Sequence, residues 1–531
     1  MDLRPLEMAL LIVGLGLLIA TKIKRLDNPR CRLWAALAAG AAVLLQLLAE
    51  GYRWQLLPGY AAPVLLLLGA WRRQRADRRK QYERERTATH VMPGGMRDAV
   101  VPEGTSGESG LQRRKDRSRP ERSGTPGTRI AKTAGSWLAL ALYSAAAVAL
   151  PLLLPVFAFE EPSGPYAVGT VTYHWTDERR EETATPEAGD KRELMVQIWY
   201  PADMETARGA EPAPYIEHVP QVAQGLKAAL SLPPALFSQL RWVEAHAYSG
   251  LPLAEGERTY PVLLFSHGMT GFRNQNTFQT EELASHGYIV VGIDHAYGAA
   301  AVVYPDGKVA MMQNNNQSGF KAYEESSRIW VDDVSFVLDQ LEKANRSGGS
   351  GLLAGRMDLS RVGMFGHSFG GATAAQALMK EERIRAAVNM DGVLYGAPIP
   401  EGGFGKPYLQ MNGEDSIDKV KFDRTLEQAG ITGEERQSYE DFWKESALRR
   451  ERAASDGAYS AVFAHANHMS FTDFYLFSPL LPPKGAPPRR IQEEINRLTT
   501  GFFDRYVKGD TSVTLEAAAS GMQGVTLVKG Q

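Results

Sequence analysis

Ser368 lies in Gly366-His367-Ser368-Phe369-Gly370-Gly371, directly after the apolar run Arg361 to Phe365 and directly before ATAAQALM, a good helix former. Strand, tight turn and helix in that order form the context of a nucleophile elbow, where the serine takes a strained backbone position and side chains at 366 and 370 would collide with the flanking elements. A G-x-S-x-G match alone says little in a chain with 51 glycines, so the flanks carry the assignment. No Lys-Ser/Thr follows the glycines, which disfavours a phosphate-cradling loop.

A serine hydroxyl attacks only when a base takes its proton and a carboxylate holds the base in the right tautomer. Two histidines lie beyond Ser368, His465 and His468, both in FAHANHMSFTDF after the strand-like YSAVF. His468, at the loop apex, is the expected base, and His465, nearer the strand, is read as structural. As a metal pair the two lack further ligands nearby, so neither a metal nor an organic cofactor is expected. Two carboxylates fit the acid. Asp391 ends IRAAVNMD one strand after the elbow, and Asp415 follows PYLQMNGE two strands after; generic α/β-hydrolases usually use the later position, and spacing leaves both open. The oxyanion donors should be the N–H of Phe369 and that of Met269, in the loop FSHGMTGFR, with His267 supporting that loop.

These residues need a frame. From Gly164 onward, short β-rich runs alternate with helical stretches, which predicts an α/β class, the α/β-hydrolase fold with a mostly parallel sheet flanked by helices. Strands are expected at Met195–Pro201, Pro261–Gly268, Gly287–His295, Arg361–Phe365, Ile384–Met390, Pro407–Met411 and Tyr459–Phe463. Helices are expected at Ser327–Lys343, with Val331, Val334, Leu338 and Leu341 on one face, and at Ile491–Tyr506.

Ahead of this frame, Leu6–Ala20, Leu33–Leu48, Leu56–Trp71 and Trp137–Phe159 are apolar runs, to be set against the ~20 residues that cross a bilayer. Basic clusters follow the first (Lys22, Lys24, Arg25, Arg30, Arg32) and the third (Arg72 to Lys80), which places both inside and everything beyond Phe159 outside. The expected organisation is three transmembrane helices in 1–72, a disordered basic linker at 73–134, a fourth helix at 135–160 and the catalytic part at 161–531. With 531 residues more than one structural unit is expected. A formal net charge of −2 gives no nucleic-acid signature, and the one cysteine, Cys31, forms no intrachain disulfide. Oligomeric state is not legible.

GPYAVGT (164–170), VQIWYP, YPVLLFSHGMTGFR, Asp294-His295, GHSFGG, NMDG and HMSFTDF occur in the order of the plasma and intracellular type II platelet-activating factor acetylhydrolases and their bacterial relatives, which the stretch Gly164–Gly509 resembles. The resemblance implies a Ser368, Asp391 and His468 triad, an oxyanion hole at Met269 and Phe369, and a serine ester hydrolase acting on short-chain or sn-2 acyl esters of phospholipids at a membrane. It favours Asp391 over Asp415. Residues 1–160 inherit nothing from it, and Ala296–Tyr323 and Ile417–Ser455, weakly matched, should build the acyl pocket and cap. Dienelactone-hydrolase and cutinase-like esterases share the elbow, and a non-catalytic membrane-anchored binding module is the reading from another class.

Overall fold

The computed structural model describes residues 3–23, 28–89, 126–313, 319–346, 351–482, 485 and 487–531. Contacts divide the chain into two compact units, Asp2–Leu152 and Leu153–Gln531.

The first unit holds α1 (Pro5–Lys22), α2 (Pro29–Glu50), α3 (Leu57–Thr89) and α4 (Pro126–Leu153). Small residues let α1 to α3 approach closely: Ala35, Ala36, Ala39 and Ala62 pack with Leu18 and Leu66. Outward faces stay apolar, with Leu48, Leu142 and Ile12 exposed. Among the described residues, four helices are long and apolar enough to cross a membrane. Three boundaries differ from expectation, one being that α4 starts at Pro126 rather than at residue 135. α3 does not stop at the basic cluster but runs on to Thr89, about 50 Å in all at 1.5 Å per residue. Its tail is rich in strong helix formers with i,i+4 pairing such as Arg79 to Glu83 at 3.1 Å, so the linker predicted from residue 73 does not begin there. Residues 90–125 of that linker lie outside the described residues. α4 ends at Leu153 rather than near Phe159, flanked by Pro151 and Pro155, which cannot continue a helix ladder. The apolar stretch beyond it joins the second unit, where Phe159 packs on Tyr215 with ring centroids 5.2 Å apart.

The second unit is built on an eleven-stranded sheet in the order β13-β12-β11-β10-β9-β5-β6-β2-β1-β4-β3. The strands are β1 (Ala167–Glu181), β2 (Lys191–Ala202), β3 (Pro212–Pro214), β4 (Glu244–Ser249), β5 (Tyr260–Ser266), β6 (Ile289–Asp294), β9 (Met357–His367), β10 (Ile384–Met390), β11 (Tyr408–Gly413), β12 (Tyr459–Phe463) and β13 (Val525–Lys529); β7 (Ala301–Val303) and β8 (Val309–Met311) form a separate hairpin. From β12 to β6 the sheet is parallel, and β2 and β13 flank that block antiparallel. Parallel strands are covered on both faces, and here the period-2 alternation splits each strand between two cores. Leu263 of β5 and Phe365 of β9 face the helix Pro488–Phe503 with its Ile491, Ile495 and Leu498. Val262, Leu264 and Met364 face the helix Glu324–Arg346, which buries the predicted stripe of Val331, Val334, Leu338 and Leu341.

Phe365 is wholly buried, 5.0 Å from the Phe265 ring and 6.1 Å from that of Phe503. Phe365→Ala is expected to cost about 3–5 kcal/mol, read as a lowered urea midpoint of the full chain in detergent.

Candidate active site

Five adjacent parallel strands, β12, β11, β10, β9 and β5, deliver the predicted site residues at one edge. At the end of β9, Ser368 takes φ 56° and ψ −120°, and the helix Phe369–Lys380 starts immediately after it. The turn is forced by close packing. A Cβ on Gly366 would sit 2.2 Å from the Gly370 carbonyl oxygen, and one on Gly370 would sit 2.0 Å from that of Ser266 in β5. The Ser368 N–H donates to the Met390 carbonyl of β10 at 2.9 Å, which fixes the turn against the next strand.

His468 enters from the loop after β12. Its Nε2 lies 2.9 Å from Ser368 Oγ, and its Nδ1 lies 2.8 Å from Asp391 Oδ2. The imidazole is 44% exposed while the Asp391 carboxylate is 1% exposed, so the line opens to solvent at the serine end and closes at the acid end. Asp391, at φ 55° just past β10, accepts from the Gly413 N–H at 2.8 Å and from Ser416 Oγ at 2.6 Å. Burial opposes its ionisation, but the hydrogen bonds and charge of His468, with those from Ser416 and Gly413, outweigh it and hold the carboxyl below its ordinary value. Asp415 is not in this line; it pairs with Lys421 at the start of a helical turn. His465 is likewise outside it, its N–H donating to Glu414 Oε2 at 2.8 Å.

The His468 loop is tied down by its own sequence. Asn467 caps the short 3-10 turn His468–Phe471, Asn276 Nδ2 donates to the Phe471 carbonyl at 2.8 Å, and Asp473 Oδ2 accepts from the Thr277 N–H at 2.8 Å. Opposite, the loop after β5 passes over the serine: a Cβ on Gly268 would lie 3.2 Å from Ser368 Cβ. In that loop the Gly268 N–H goes to Gln275 and the Thr270 N–H to the Gly298 carbonyl, and among the described residues none accepts from Met269 N–H. Phe369, first residue of its helix, has no intrahelical acceptor for its own N–H. Both expected oxyanion donors therefore border the serine with their N–H groups uncommitted. Met269 also lines a cavity of about 270 Å³ with Tyr297, Tyr323 and Trp330.

Two supporting groups, His367 and Asp333, were not anticipated from the sequence. His367, the buried residue before Ser368, accepts from Gln275 Nε2 at Nδ1 (2.9 Å) and donates from Nε2 to the His468 carbonyl (2.9 Å). Since Gln275 Oε1 also takes the Gly268 N–H, a neutral hydrogen-bonded strap joins the loop over the serine to the loop carrying His468. Burial, then the neighbouring His468, pushes His367 down to about 3, and burial pushes His267 down to about 4, so both rings stay neutral. The second group is Asp333, fully buried, which binds His295 Nδ1 at 2.9 Å and Arg192 at 2.6 Å, while His295 Nε2 meets Ser266 Oγ at 3.0 Å and its ring stacks on Trp330 at 3.9 Å. His267 does support the loop, its Nδ1 lying 2.7 Å from the Gly268 carbonyl.

Residues 156–338 and 350–407 match the family model described as platelet-activating factor acetylhydrolase, isoform II. The resemblance is to that acetylhydrolase family. The platelet-activating factor acetylhydrolase of Cavia porcellus is 27% identical over 286 residues, 48% of this chain and 59% of its own. A probable 1-alkyl-2-acetylglycerophosphocholine esterase of Arthroderma benhamiae is 27% identical over 271 residues, 48% of this chain and 65% of its own. The chain thus spans between 59% and 65% of the length of these relatives. Among solved structures, a ferulic acid esterase from Streptomyces cinnamoneus superposes with TM-score 0.52 and 27% identity, covering 71% of this chain and 100% of that one. The acetylhydrolase match takes in Met269, Ser368, Phe369 and Asp391, and it ends before Ser416 and His468.

A histidine held neutral in the fold binds fewer protons than the unfolded chain below its ordinary value near 6.5, so stability falls as pH falls. For His367 the window runs from about 6.5 down to about 3. His367→Gln removes that titration; across this window the urea midpoint of the wild type is expected to drop more steeply with acidification than that of the variant.

Proposed function

We propose that the chain is a membrane-anchored serine ester hydrolase that cleaves short-chain or sn-2 acyl esters of phospholipids. The single observation that carries the reading is the continuous line Ser368 Oγ, His468 Nε2, His468 Nδ1, Asp391 Oδ2, with contacts of 2.9 and 2.8 Å. In this reading Ser368 Oγ attacks the ester carbonyl carbon as its proton passes to His468 Nε2, and the carbonyl π pair moves onto oxygen. The Met269 and Phe369 N–H groups receive that oxyanion. Asp391 accepts from Nδ1–H and stabilises the imidazolium without taking the proton. Collapse of the tetrahedral intermediate expels the alkoxide, which leaves as an alcohol with the proton from His468. Water, deprotonated by the same nitrogen, then attacks the acyl-Ser368 carbonyl and returns the free serine and a carboxylic acid. Every step is supplied by the chain's own groups. The acetylhydrolase match and the esterase neighbour support the ester as the bond cleaved and the lipid as its carrier.

The chain's organisation follows from the same reading. Three spans lie within residues 3–89, a fourth ends at Leu153, and the hydrolase begins there. With Lys22 to Arg32 and Arg72 to Lys80 kept on the cytoplasmic side, the hydrolase faces outward. A broad carboxylesterase is the second reading, favoured by the ferulic acid esterase likeness. Release of acetate from a 2-acetyl phospholipid, compared with p-nitrophenyl esters of increasing acyl length, separates the two.

Ser368→Ala is expected to abolish p-nitrophenyl acetate turnover and fluorophosphonate labelling while the chain still folds; near wild-type turnover would sink the assignment. Asp391→Asn is expected to lower kcat by on the order of 10³- to 10⁴-fold, in line with other serine triads. Asp415→Asn should stay within about twofold, and the reverse order would move the acid to Asp415.

A further inference from the structure

Gln275 is buried in the loop after β5, and its amide stands between the two loops that border Ser368. Its Oε1 accepts from the Gly268 N–H at 3.2 Å, so Nε2 is the donor end and gives its hydrogens to His367 Nδ1 at 2.9 Å and to Asn276 Oδ1 at 3.1 Å. A neutral imidazole that accepts at Nδ1 carries its proton on Nε2, and His367 Nε2 faces the His468 carbonyl at 2.9 Å. We infer that Gln275 is a positioning residue that sets the Met269 N–H and the His468 loop through one hydrogen-bonded chain; the inference rests on the esterase reading above and adds a residue that the reaction needs without its touching the substrate.

Three observations carry it. First, the chain has one direction. It starts at a backbone N–H, that of Gly268, and ends at a backbone carbonyl, that of His468, and every donor between them points the same way. Neither the amide nor the ring can turn over without losing the bonds on both sides of it. Second, the chain grips the residue that aims Met269. In the trans peptide between them, the Gly268 carbonyl and the Met269 N–H point opposite ways. That carbonyl accepts from the Gly271 N–H and from His267 Nδ1, both at 2.7 Å, while Gln275 holds the N–H on the other side of Gly268. The amide has no room to swing: a Cβ on Gly271 would lie 2.0 Å from Gln275 Oε1, and one on Gly268 would lie 3.1 Å from His367 Nδ1. Third, Gln275 reaches the His468 turn by further routes. Asn276 passes the contact on to the Phe471 carbonyl at 2.8 Å, and the Asp473 N–H donates to the Gln275 carbonyl at 3.0 Å. An apolar residue of similar volume at 275 would serve burial equally and would leave the Gly268 N–H and the His367 ring without these bonds.

The test uses the full chain in maltoside detergent, with rates expressed per active site titrated by a fluorophosphonate, so that a lowered folded fraction does not count as lost rate. Gln275→Met leaves the oxyanion donors in place but misaimed, and it is expected to lower kcat on p-nitrophenyl acetate by about tenfold to a hundredfold with KM within about twofold. Phenylboronic acid forms a B–O bond to Ser368 and puts a hydroxyl where the oxyanion would sit, so its affinity should fall by the same factor as kcat. His367→Leu is expected to act in the same direction, and the double variant to lose no more than Gln275→Met alone, because both changes break one chain. A kcat kept within about twofold in Gln275→Met, a loss that lies in KM, an unchanged boronate affinity, or losses that multiply in the double variant would each overturn the inference. Should the esterase reading itself fail, the wild type turns over no ester, and amide hydrogen exchange of the same chains still reads the contact. Faster exchange at both 268–271 and 467–471 in Gln275→Met then sustains the coupling, and a change at 268–271 alone, or at neither, removes it.

Discussion

The sheet edge that presents Ser368 depends on one steric constraint: β9, β5 and the helix after Ser368 approach so closely that backbone meets backbone with no room for a side chain. Gly370 lies against the Ser266 carbonyl and Gly366 against Gly370, so the chain can pass from strand to helix only by putting Ser368 at φ 56°. That conformation costs about 1–3 kcal/mol and persists because the surrounding sheet over-determines it. What it secures is direction. The hydroxyl stands clear of the sheet edge, where the loops of β10 and β12 bring a carboxylate and an imidazole into line with it.

Much of this was legible because each strand in the parallel block is a short apolar run bounded by turn residues. IRAAVNM and YSAVF are strands with the predicted bounds, and RVGMF is the core of the longer β9. β1 and β13 escaped because their burial is partial: β1 carries the polar stretch HWTDERRE (His174 to Glu181) and is held by its long antiparallel pairing with β2 rather than by an apolar face. Which carboxylate stands beside His468 was not legible from spacing, since Asp391 and Asp415 both follow β-strands. Their difference is local. Asp391 turns left-handed just past β10 and meets the Gly413 N–H across the next strand end, whereas Asp415 opens a helical turn and pairs with Lys421. The basic segment after Trp71 misled because charge and low apolar content describe a solvated helix as well as a linker.

Behind the half-buried Ser368 stands a polar interior that composition does not reveal. Two neutral histidines, His267 and His367, and the Arg192, Asp333, His295 network occupy positions where a hydrophobic core would suffice for burial. His367 and His267 bond to the loops that border the serine, through Gln275, the His468 carbonyl and the Gly268 carbonyl, while Arg192 and Asp333 pair with each other and with Glu182 and His295. Trp330 links the two systems, stacked on His295 and edge-on to Phe369 at 4.8 Å.

The helices Lys419–Gln428 and Gly433–Ala453 are spliced into the chain between Gly413 and Tyr459, the C-terminal end of β11 and the first residue of β12. Both ends of that insertion are clamped, because β11 and β12 pair residue by residue from Leu409 with Tyr459 to Gly413 with Phe463. Its length and chemistry can therefore change without displacing the strand that delivers His468. The segment is in this sense a cassette, exchangeable in principle without disturbing the strand pairing on either side of it.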